Sequence, residues 1–443
     1  MKPFFLKKPT SFQWIILGFV GVILVGAFLL MLPISSVTRE VTPFHDALFT
    51  STSAVCVTGL VVRDTGSYWS VFGKGILLLL IQIGGLGVIT VAAAFTLLSG
   101  KKISLMQRST MQEATSAPQV GGIVRLTGFI LKGTFLTEGI GALLLMPTFC
   151  RDYGFRGVFF ALFHSVSAFC NAGFDLLGTK EAMYPSLTAY ADNPFLCLPV
   201  MLLILIGGVG FLTWEDVVTH GVRFRRYRMQ SKVILLTSAV LILFPTLYFF
   251  CFEFTDGTVG ERLLDSAFQA VSPRTAGFNT VSLSVMHGAS RGIMIFLMLI
   301  GGAPGSTAGG MKMTTLAVLF ANLRTVFRRR EDVCLFGRRV DGTAVRNAAA
   351  IFLMYLSLFF VGALVISTAE GLPMSVCLYE TASAVATVGL TLGITPQLGV
   401  LSQVVLILLM FLGRVGGLTL IYAALRDPLR VPSRFPQEKI TVG

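Results

Sequence analysis

Four segments of this chain have residue types and spacing suited to gripping a bare cation with peptide oxygens. They are Ser53-Ala54-Val55-Cys56-Val57-Thr58-Gly59-Leu60, Ser167-Ala168-Phe169-Cys170-Asn171-Ala172-Gly173-Phe174, Val271-Ser272-Pro273-Arg274-Thr275-Ala276-Gly277-Phe278 and Ser383-Ala384-Val385-Ala386-Thr387-Val388-Gly389-Leu390. A large apolar residue follows each glycine, and small or hydroxyl-bearing residues dominate the positions before it. The glycines fall 114, 104 and 112 residues apart, a period near a quarter of the 443-residue chain, and such internal repetition decides architecture. A dehydrated alkali cation is conducted when rings of backbone carbonyls replace its hydration water without holding it too tightly. Glycine suits such a strand because its φ/ψ freedom lets successive carbonyls face one axis. The candidate lining is therefore Cys56, Val57, Thr58 and Gly59; Cys170, Asn171, Ala172 and Gly173; Arg274, Thr275, Ala276 and Gly277; and Ala386, Thr387, Val388 and Gly389. One glycine per copy and four non-identical strands predict fewer ordered ion sites, and looser selectivity, than in a symmetric channel. Glycines serving only tight turns or close helix packing would leave the fourfold recurrence unexplained.

Positioning such strands requires a membrane. The chain is 54% hydrophobic and only 13% charged, with a mean hydropathy of +0.79, too apolar for a soluble globule of its size. Its net charge of +13 sits in short blocks between apolar runs, where it reads as a topology signal rather than a nucleic-acid surface. The seven cysteines are scattered without a C-x-x-C, so neither a disulfide framework nor a zinc site is indicated. The four histidines show no metal-ligand spacing, and His164 reads as a satisfied structural residue. No phosphate-binding glycine fingerprint follows a predicted strand. Paired Asp, Ser/His or metal motifs at membrane depth are also missing, which argues against an intramembrane enzyme. Lys7 and Lys8 precede an apolar run from Trp14 to Leu32 that reads as a first membrane helix rather than a cleavable signal.

Each quarter repeats a long apolar run, a short one ending in the glycine motif, and a second long run: 14–32, 44–55 and 72–98; 122–147, 156–170 and 194–220; 230–252, 259–272 and 289–325; 344–369, 374–386 and 398–425. The basic residues lie at the junctions: Lys2, Lys7 and Lys8; Lys101, Lys102 and Arg108; Arg223, Arg225, Arg226, Arg228 and Lys232; Arg324, Arg328, Arg329, Arg330, Arg338 and Arg339; Arg426, Arg430 and Arg434. With basic loops in the cytoplasm, every quarter crosses an even number of times. The segments inside each quarter are richer in Asp and Glu than in Lys and Arg. The short runs, below the roughly 20 residues a spanning helix needs, are thus re-entrant and must share a buried or watery centre. Thr42-Pro43, the capping box Thr258-x-x-Glu261 and Pro373 mark helix starts. Four helix C-termini, each equivalent to about half a negative charge, then point inward and favour a cation.

The third long run is broken by five glycines and a proline in ten residues, 301–310. Gly costs about 1 and Pro about 3 kcal/mol relative to Ala in a helix interior, so Gly302, Ala303, Pro304, Gly305, Ser306, Thr307, Ala308, Gly309 and Gly310 predict irregular backbone lining a cavity, or else a packing kink. Arg414 lies in mid-run, where an unpaired charge is expensive and functional by default. Lys312 is expected either to snorkel toward the interface or to serve the loop. Glu138 and Lys132 pair with each other or with neighbours, and Arg274 is expected to brace its strand from behind.

Thr387-Val388-Gly389 resembles the start of the potassium-channel filter. With Ile83-Gly84-Gly85-Leu86-Gly87, Ile206-Gly207-Gly208-Val209-Gly210, the run Ile300 to Lys312, and Leu412-Gly413-Arg414-Val415-Gly416-Gly417, essentially the whole chain resembles the membrane subunit of the Trk/Ktr/HKT potassium transporter superfamily. Trk-type subunits usually carry two further helices before the first repeat; about 13 residues precede the first run here, which favours the Ktr type (KtrB-like). The resemblance implies an all-α polytopic membrane protein with eight transmembrane helices and four re-entrant pore helices. They form four pseudo-symmetric helix, pore-helix, helix repeats (1–100, 101–222, 223–328, and 329–443 with the C-terminal tail) around one pore. It implies a homodimer in the bacterial plasma membrane with both termini cytoplasmic, on a cytosolic nucleotide-binding regulatory ring (KtrA-like); the Arg324–Arg339 segment is the candidate docking surface, and a lipid-headgroup contact explains its charge equally well. It makes 302–310 with Lys312 an intramembrane gating loop and Arg414 an electrostatic barrier near the pore, touching that loop. K+ is the implied transported ion, held at filter carbonyls; Na+ stimulation occurs in the family; ATP or ADP acts only through the partner, and this chain carries no cofactor. A sodium/potassium cotransporter is the alternative within the superfamily; an intramembrane enzyme or sensor scaffold is a remote one.

Overall fold

The structure, a computed structural model, describes residues 10–98, 105–115 and 122–417. Lys2, Lys7, Lys8, Lys101, Lys102, Arg426, Arg430 and Arg434, and the end of the last apolar run, lie outside the described residues. The first quarter comprises α1 (Ser11–Met31), α2 (Phe44–Val55), α3 (Val71–Leu86) and α4 (Val88–Leu98), and α5 (Leu105–Thr115) follows at the start of the next. The second continues with α6 (Ile123–Tyr153), α7 (Arg156–Phe169), α8 (Pro194–Gly208) and α9 (Phe211–His220). The third has α10 (Met229–Phe252), α11 (Val259–Val271), α12 (Gly288–Leu299) and α13 (Met313–Phe327), and the fourth α14 (Gly342–Glu370), α15 (Met374–Val385) and α16 (Val400–Val415).

The opening helices α1, α6, α10 and α14 are each long and apolar enough to cross a bilayer unbroken. The short helices α2, α7, α11 and α15, at 12 to 14 residues, are not. Their starts follow from local chemistry: Pro43 and Pro373 stand at the N-caps of α2 and α15. At α11, Glu261 N donates to Thr258 Oγ1 at 3.3 Å while Thr258 N donates to Glu261 Oε2 at 2.9 Å, satisfying two otherwise orphaned amides.

The second long runs differ from the sequence expectation, which placed a break only in the third. The first, second and fourth also break, at Gly87, Gly210 and Gly416, with φ of 84°, 93° and 88°, and α8 and α9 meet at 99°. Apolar composition continues across each break, so hydropathy gives no hint of it; one glycine with positive φ suffices to interrupt the helix. In the third quarter the break is the whole segment between α12 and α13. Its two ends are zipped as a parallel two-residue ladder, β1 (Ile300–Gly301) with β2 (Met311–Lys312). A small antiparallel hairpin, β3 (Cys334–Leu335) with β4 (Arg338–Arg339), interrupts the basic junction before α14. Apart from these short ladders and an isolated bridge between Ser36 and Trp69, the regular structure of the described residues is helical.

The quarters close into a circle. Each second helix meets the short helix of the next quarter, α3 with α7, α8 with α11, α12 with α15, and α16 with α2. Within each quarter small residues bring the second helix onto its own short helix: a Cβ at Gly84, Gly207 or Gly413 would collide with the carbonyl oxygen of Val55, Phe169 or Val385, the last residue of that short helix, the close approach that small residues give membrane helices. The ends of the short helices, including Ala54, Val55, Ala168, Phe169, Ala384 and Val385, are buried, whereas Phe28, Leu143, Phe244 and Phe360 on the opening helices are exposed. An apolar exterior around a polar backbone centre is the arrangement a bilayer requires.

Candidate functional site

Beyond each short helix the chain runs extended to its glycine, and the four glycines meet. A Cβ built at Gly59 would stand 2.5 Å from Ala172 O, and one at Gly173 2.8 Å from Ala276 O; at Gly277 it would strike Val388 O, and at Gly389 Thr58 O. The order 59, 173, 277, 389 and back to 59 is a closed ring. In every copy the carbonyl of the residue before one glycine lies against the glycine of a neighbouring strand, leaving no room for a side chain.

The backbone conformation repeats too. The glycines have φ of 94°, 67°, 86° and 95°, and the residues two before them, Val57, Asn171, Thr275 and Thr387, have φ of 56°, 57°, 71° and 54°. Three of those four are β-branched, for which the left-handed region is a genuine outlier costing on the order of 1–3 kcal/mol and kept only where surroundings enforce it. Alternating hands turn successive carbonyls toward one side, which is what a carbonyl-lined ion path needs.

What enforces it is a serine in each copy. Ser53 and Ser383 accept at their carbonyls from Thr58 N and Val388 N, both at 2.8 Å, and at their hydroxyls from Gly59 N at 3.1 Å and Gly389 N at 3.0 Å. Ser167 O accepts from Ala172 N at 2.7 Å and Ser272 O from Ala276 N at 3.0 Å, while their hydroxyls donate to Phe174 O, at 2.7 Å, and to Phe278 O. The strand amides thus point back to the short helices, and the carbonyls are left for the ring. These serines had no role assigned from sequence, although they recur in the four segments quoted above.

Behind the strands, Asn171 with its amide nitrogen turned to Ala168 O and Ile204 O accepts from Thr275 Oγ1 at 3.3 Å. Arg274 is buried, and its Nη2 donates to Ser238 Oγ of α10 at 3.1 Å, so the guanidinium lies behind its strand. Cys56, Cys170 and Ala386 close the last helical turns.

The segment 302–310 lies against this ring and is tied to the second and fourth quarters. Ala303 N donates to Gly208 O at 2.9 Å, Thr307 N to Gly207 O at 3.2 Å, and Gly310 N to Gly413 O at 3.2 Å; Gly305 O accepts from Phe211 N at 2.8 Å. Thr307 Oγ1 donates to Phe169 O, the end of α7, at 3.0 Å. Its glycines touch the fourth strand: a Cβ at Gly310 would lie 2.9 Å from Ala386 O, and one at Gly309 would overlap the Thr387 hydroxyl.

Arg414 joins the segment to α3, with Nη1 donating to Thr307 O and Nη2 to Gly84 O and, at 3.2 Å, to Gly85 O. Lys312 does not snorkel. Its Nζ donates to Ala308 O at 2.6 Å and Gly309 O at 3.3 Å, because carbonyls turned away from any helix offer a nearer partner than the interface.

A cavity of about 230 Å³ lies against the segment's other face, lined by Ser306, Lys312, Arg414, Tyr355 and Glu113. Glu113, on α5, went unnoticed in the sequence, where it is one acid in a basic junction; burial pushes its carboxyl up from the usual range. Glu138 pairs not with Lys132 but with Gln82 Nε2, at 3.0 and 3.2 Å to its two oxygens. His164 stacks on Phe149 at 4.8 Å and bonds Phe160 O through Nδ1 at 2.8 Å. All seven cysteines are free; Cys251 and Cys334 are exposed rather than packed. Among the described residues no group of His, Cys, Asp and Glu could hold a metal.

Comparison with known proteins agrees with this geometry. Residues 4–428 match the TrkH model, described as a cation transport protein. The potassium/sodium uptake protein NtpJ of Enterococcus hirae is 38% identical over 455 residues, spanning 100% of this chain and 99% of the relative. The Ktr system potassium uptake protein B of Bacillus subtilis is 36% identical over 99% of this chain and 100% of its own. The fold is shared with the crystal structure of the potassium transporter TrkH from Vibrio parahaemolyticus, with a TM-score of 0.74 at 20% identity, covering 96% of this chain and 86% of the other. A full-length match of this kind, on a membrane fold whose four repeats converge on a ring of carbonyls, means that the chain belongs to the TrkH family of cation transport proteins.

Proposed function

We propose that the chain is the ion-translocating subunit of a potassium-uptake system in the bacterial plasma membrane, with both termini cytoplasmic. The observation that carries the reading is the closed ring of Gly59, Gly173, Gly277 and Gly389, each seated against a neighbouring strand's carbonyl. Residues 56–59, 170–173, 274–277 and 386–389 form the selectivity filter of four pore repeats (1–100, 101–222, 223–328 and 329–443), and their carbonyls take the place of water around K+. The C-termini of the four short helices add a favourable potential of about half a charge each.

Residues 302–310 with Lys312 are the gate. Held by Arg414, by four backbone–backbone hydrogen bonds across the molecule and by the Thr307 hydroxyl, the loop closes the path beneath the filter, and the Arg414 charge opposes a cation there. Opening requires these bonds to break together, an event suited to control from outside the membrane. A cytosolic nucleotide-binding ring (KtrA-like), docking on the Arg324–Arg339 segment of a homodimer at its hairpin Cys334–Arg339, would supply it, with ATP or ADP bound to the ring and not to this chain.

A second reading, coupled sodium/potassium transport, is favoured by one observation: the 38%-identical relative is named for both ions. Reversal potentials measured under independent K+ and Na+ gradients separate the two. The primary test is growth rescue of a potassium-uptake-deficient bacterium at low external K+, with and without a candidate ring protein. Wild type should rescue and Gly277→Val should not, although it inserts normally; rescue by the Gly277→Val variant with unaltered K+/Na+ discrimination would remove the carbonyl filter.

A further inference from the structure

We infer that the groove between α10, α12 and α13 binds an anionic phospholipid. The groove has two chambers. One, of about 590 Å³, is walled by apolar side chains, among them Val240 and Phe244 of α10, Phe296 of α12 and Phe320 of α13, and these four are exposed on the outer surface. The other, of about 390 Å³, is lined by Arg324, Arg328 and Arg330. Leu236, Thr237, Ala317 and Phe320 belong to both linings, so the chambers adjoin across these side chains, the one apolar and the other cationic. Such volumes lie in the range of small-molecule sites.

The charge of the cationic chamber is uncompensated. Asp332 also lines it, but its Oδ1 pairs with Arg339 Nε at 2.8 Å, and among the described residues the guanidinium groups of Arg324, Arg328 and Arg330 make no ion pair. Three unpaired cations beside an apolar chamber match a phosphate-bearing headgroup above an acyl chain. A zwitterionic headgroup would leave most of that charge unbalanced. A second copy of the chain fits less well, since a twofold interface sets the same patch on both partners and would bring arginine clusters together.

The site adjoins the loop's anchor. α13 begins at Met313, directly after the loop, and Met313 Sδ accepts from Ser238 Oγ of α10 at 3.4 Å. An acyl chain seated between α10 and α13 props the helix on which the loop hangs.

The test uses the full chain purified in detergent and delipidated, titrated with phosphatidylglycerol or phosphatidylcholine and read by native mass spectrometry. Phosphatidylglycerol should bind and resist collisional removal, and phosphatidylcholine should not. R324Q/R328Q/R330Q should weaken phosphatidylglycerol binding about a hundredfold, from roughly fivefold per charge. Gly292→Phe should weaken it as well with all arginines intact, because a Cβ at Gly292, on the apolar wall, meets nothing within 4 Å and the ring fills the chamber without disturbing the fold. Equal binding of the two lipids, phosphatidylglycerol binding unchanged in both variants, or efficient disulfide crosslinking of Phe320→Cys chains to one another would overturn the assignment.

Discussion

At the level of single residues, the ring is held by hydrogen bonds to its back rather than by contacts at its face. The hydroxyl of Ser383 takes the Gly389 amide and its carbonyl takes the Val388 amide. In Ser383→Ala the Gly389 N–H is left buried and unpaired, a penalty of about 1–3 kcal/mol concentrated on the strand. We expect the variant to insert and purify like wild type while its K+/Na+ permeability ratio, from bi-ionic reversal potentials, falls severalfold; Ser53→Ala should behave alike. Arg414 works on the other side. Its bonds to Thr307 O, Gly84 O and Gly85 O are charge-assisted, worth about 1.5–3 kcal/mol each. Losing even one is enough to shift a closed-to-open equilibrium about tenfold, so Arg414→Gln should raise rubidium tracer flux into proteoliposomes by roughly that factor. Flux at or below the wild-type level would mean that Arg414 does not hold the loop shut.

At the level of elements, the breaks at Gly87, Gly210 and Gly416 share one backbone conformation but not one neighbourhood. A Cβ on Gly210 would stand 2.9 Å from Pro304 O and 3.2 Å from Ala303 Cβ of the loop, whereas at Gly416 it meets nothing within 4 Å. The two positions have φ of 93° and 88° with ψ of 139° and 140°, a region open essentially to glycine alone, so alanine at either incurs a similar backbone penalty of roughly 1–3 kcal/mol. The difference between the two variants therefore reports on the loop alone. We expect Gly210→Ala to displace the loop and increase resting flux, and Gly416→Ala to lower thermal stability slightly with resting flux unchanged. Equal flux in the two would show that the loop's seat on α8 and α9 does not control passage. The loop itself is the third quarter's version of the same break, lengthened from one glycine to a crossing strap.

At the level of the whole molecule, closure is completed by α16 meeting α2, which joins the last quarter to the first; on the proposed reading each chain then has a pore of its own. A dimer of such chains carries two separate pores, unlike a channel assembled around a shared axis. In lipid nanodiscs the protein mass should be twice the 47.8 kDa of one chain. Mixing wild-type and Gly277→Val chains should then leave about half the transport, in proportion to the wild-type fraction. A steep loss, as expected of a pore shared between chains, would contradict one pore per subunit.

Much of this was legible before any coordinates. The fourfold glycine period, the two-crossing quarters implied by the basic junctions and the starts of α2, α11 and α15 follow from covalent spacing, charge and capping chemistry, all local properties of the chain. The breaks at Gly87, Gly210 and Gly416 were not, because the apolar composition continues through them. The partners of Glu138, the inward fold of Lys312 and the presence of Glu113 in the cavity were equally hidden, since each depends on atoms brought near by packing between quarters. Sequence alone determined that four strands of this kind exist and need a common centre. Tertiary structure decided what ties each one back, and which loop and arginine lie across their axis, because long-range hydrogen bonds between backbone groups carry no signature in residue type.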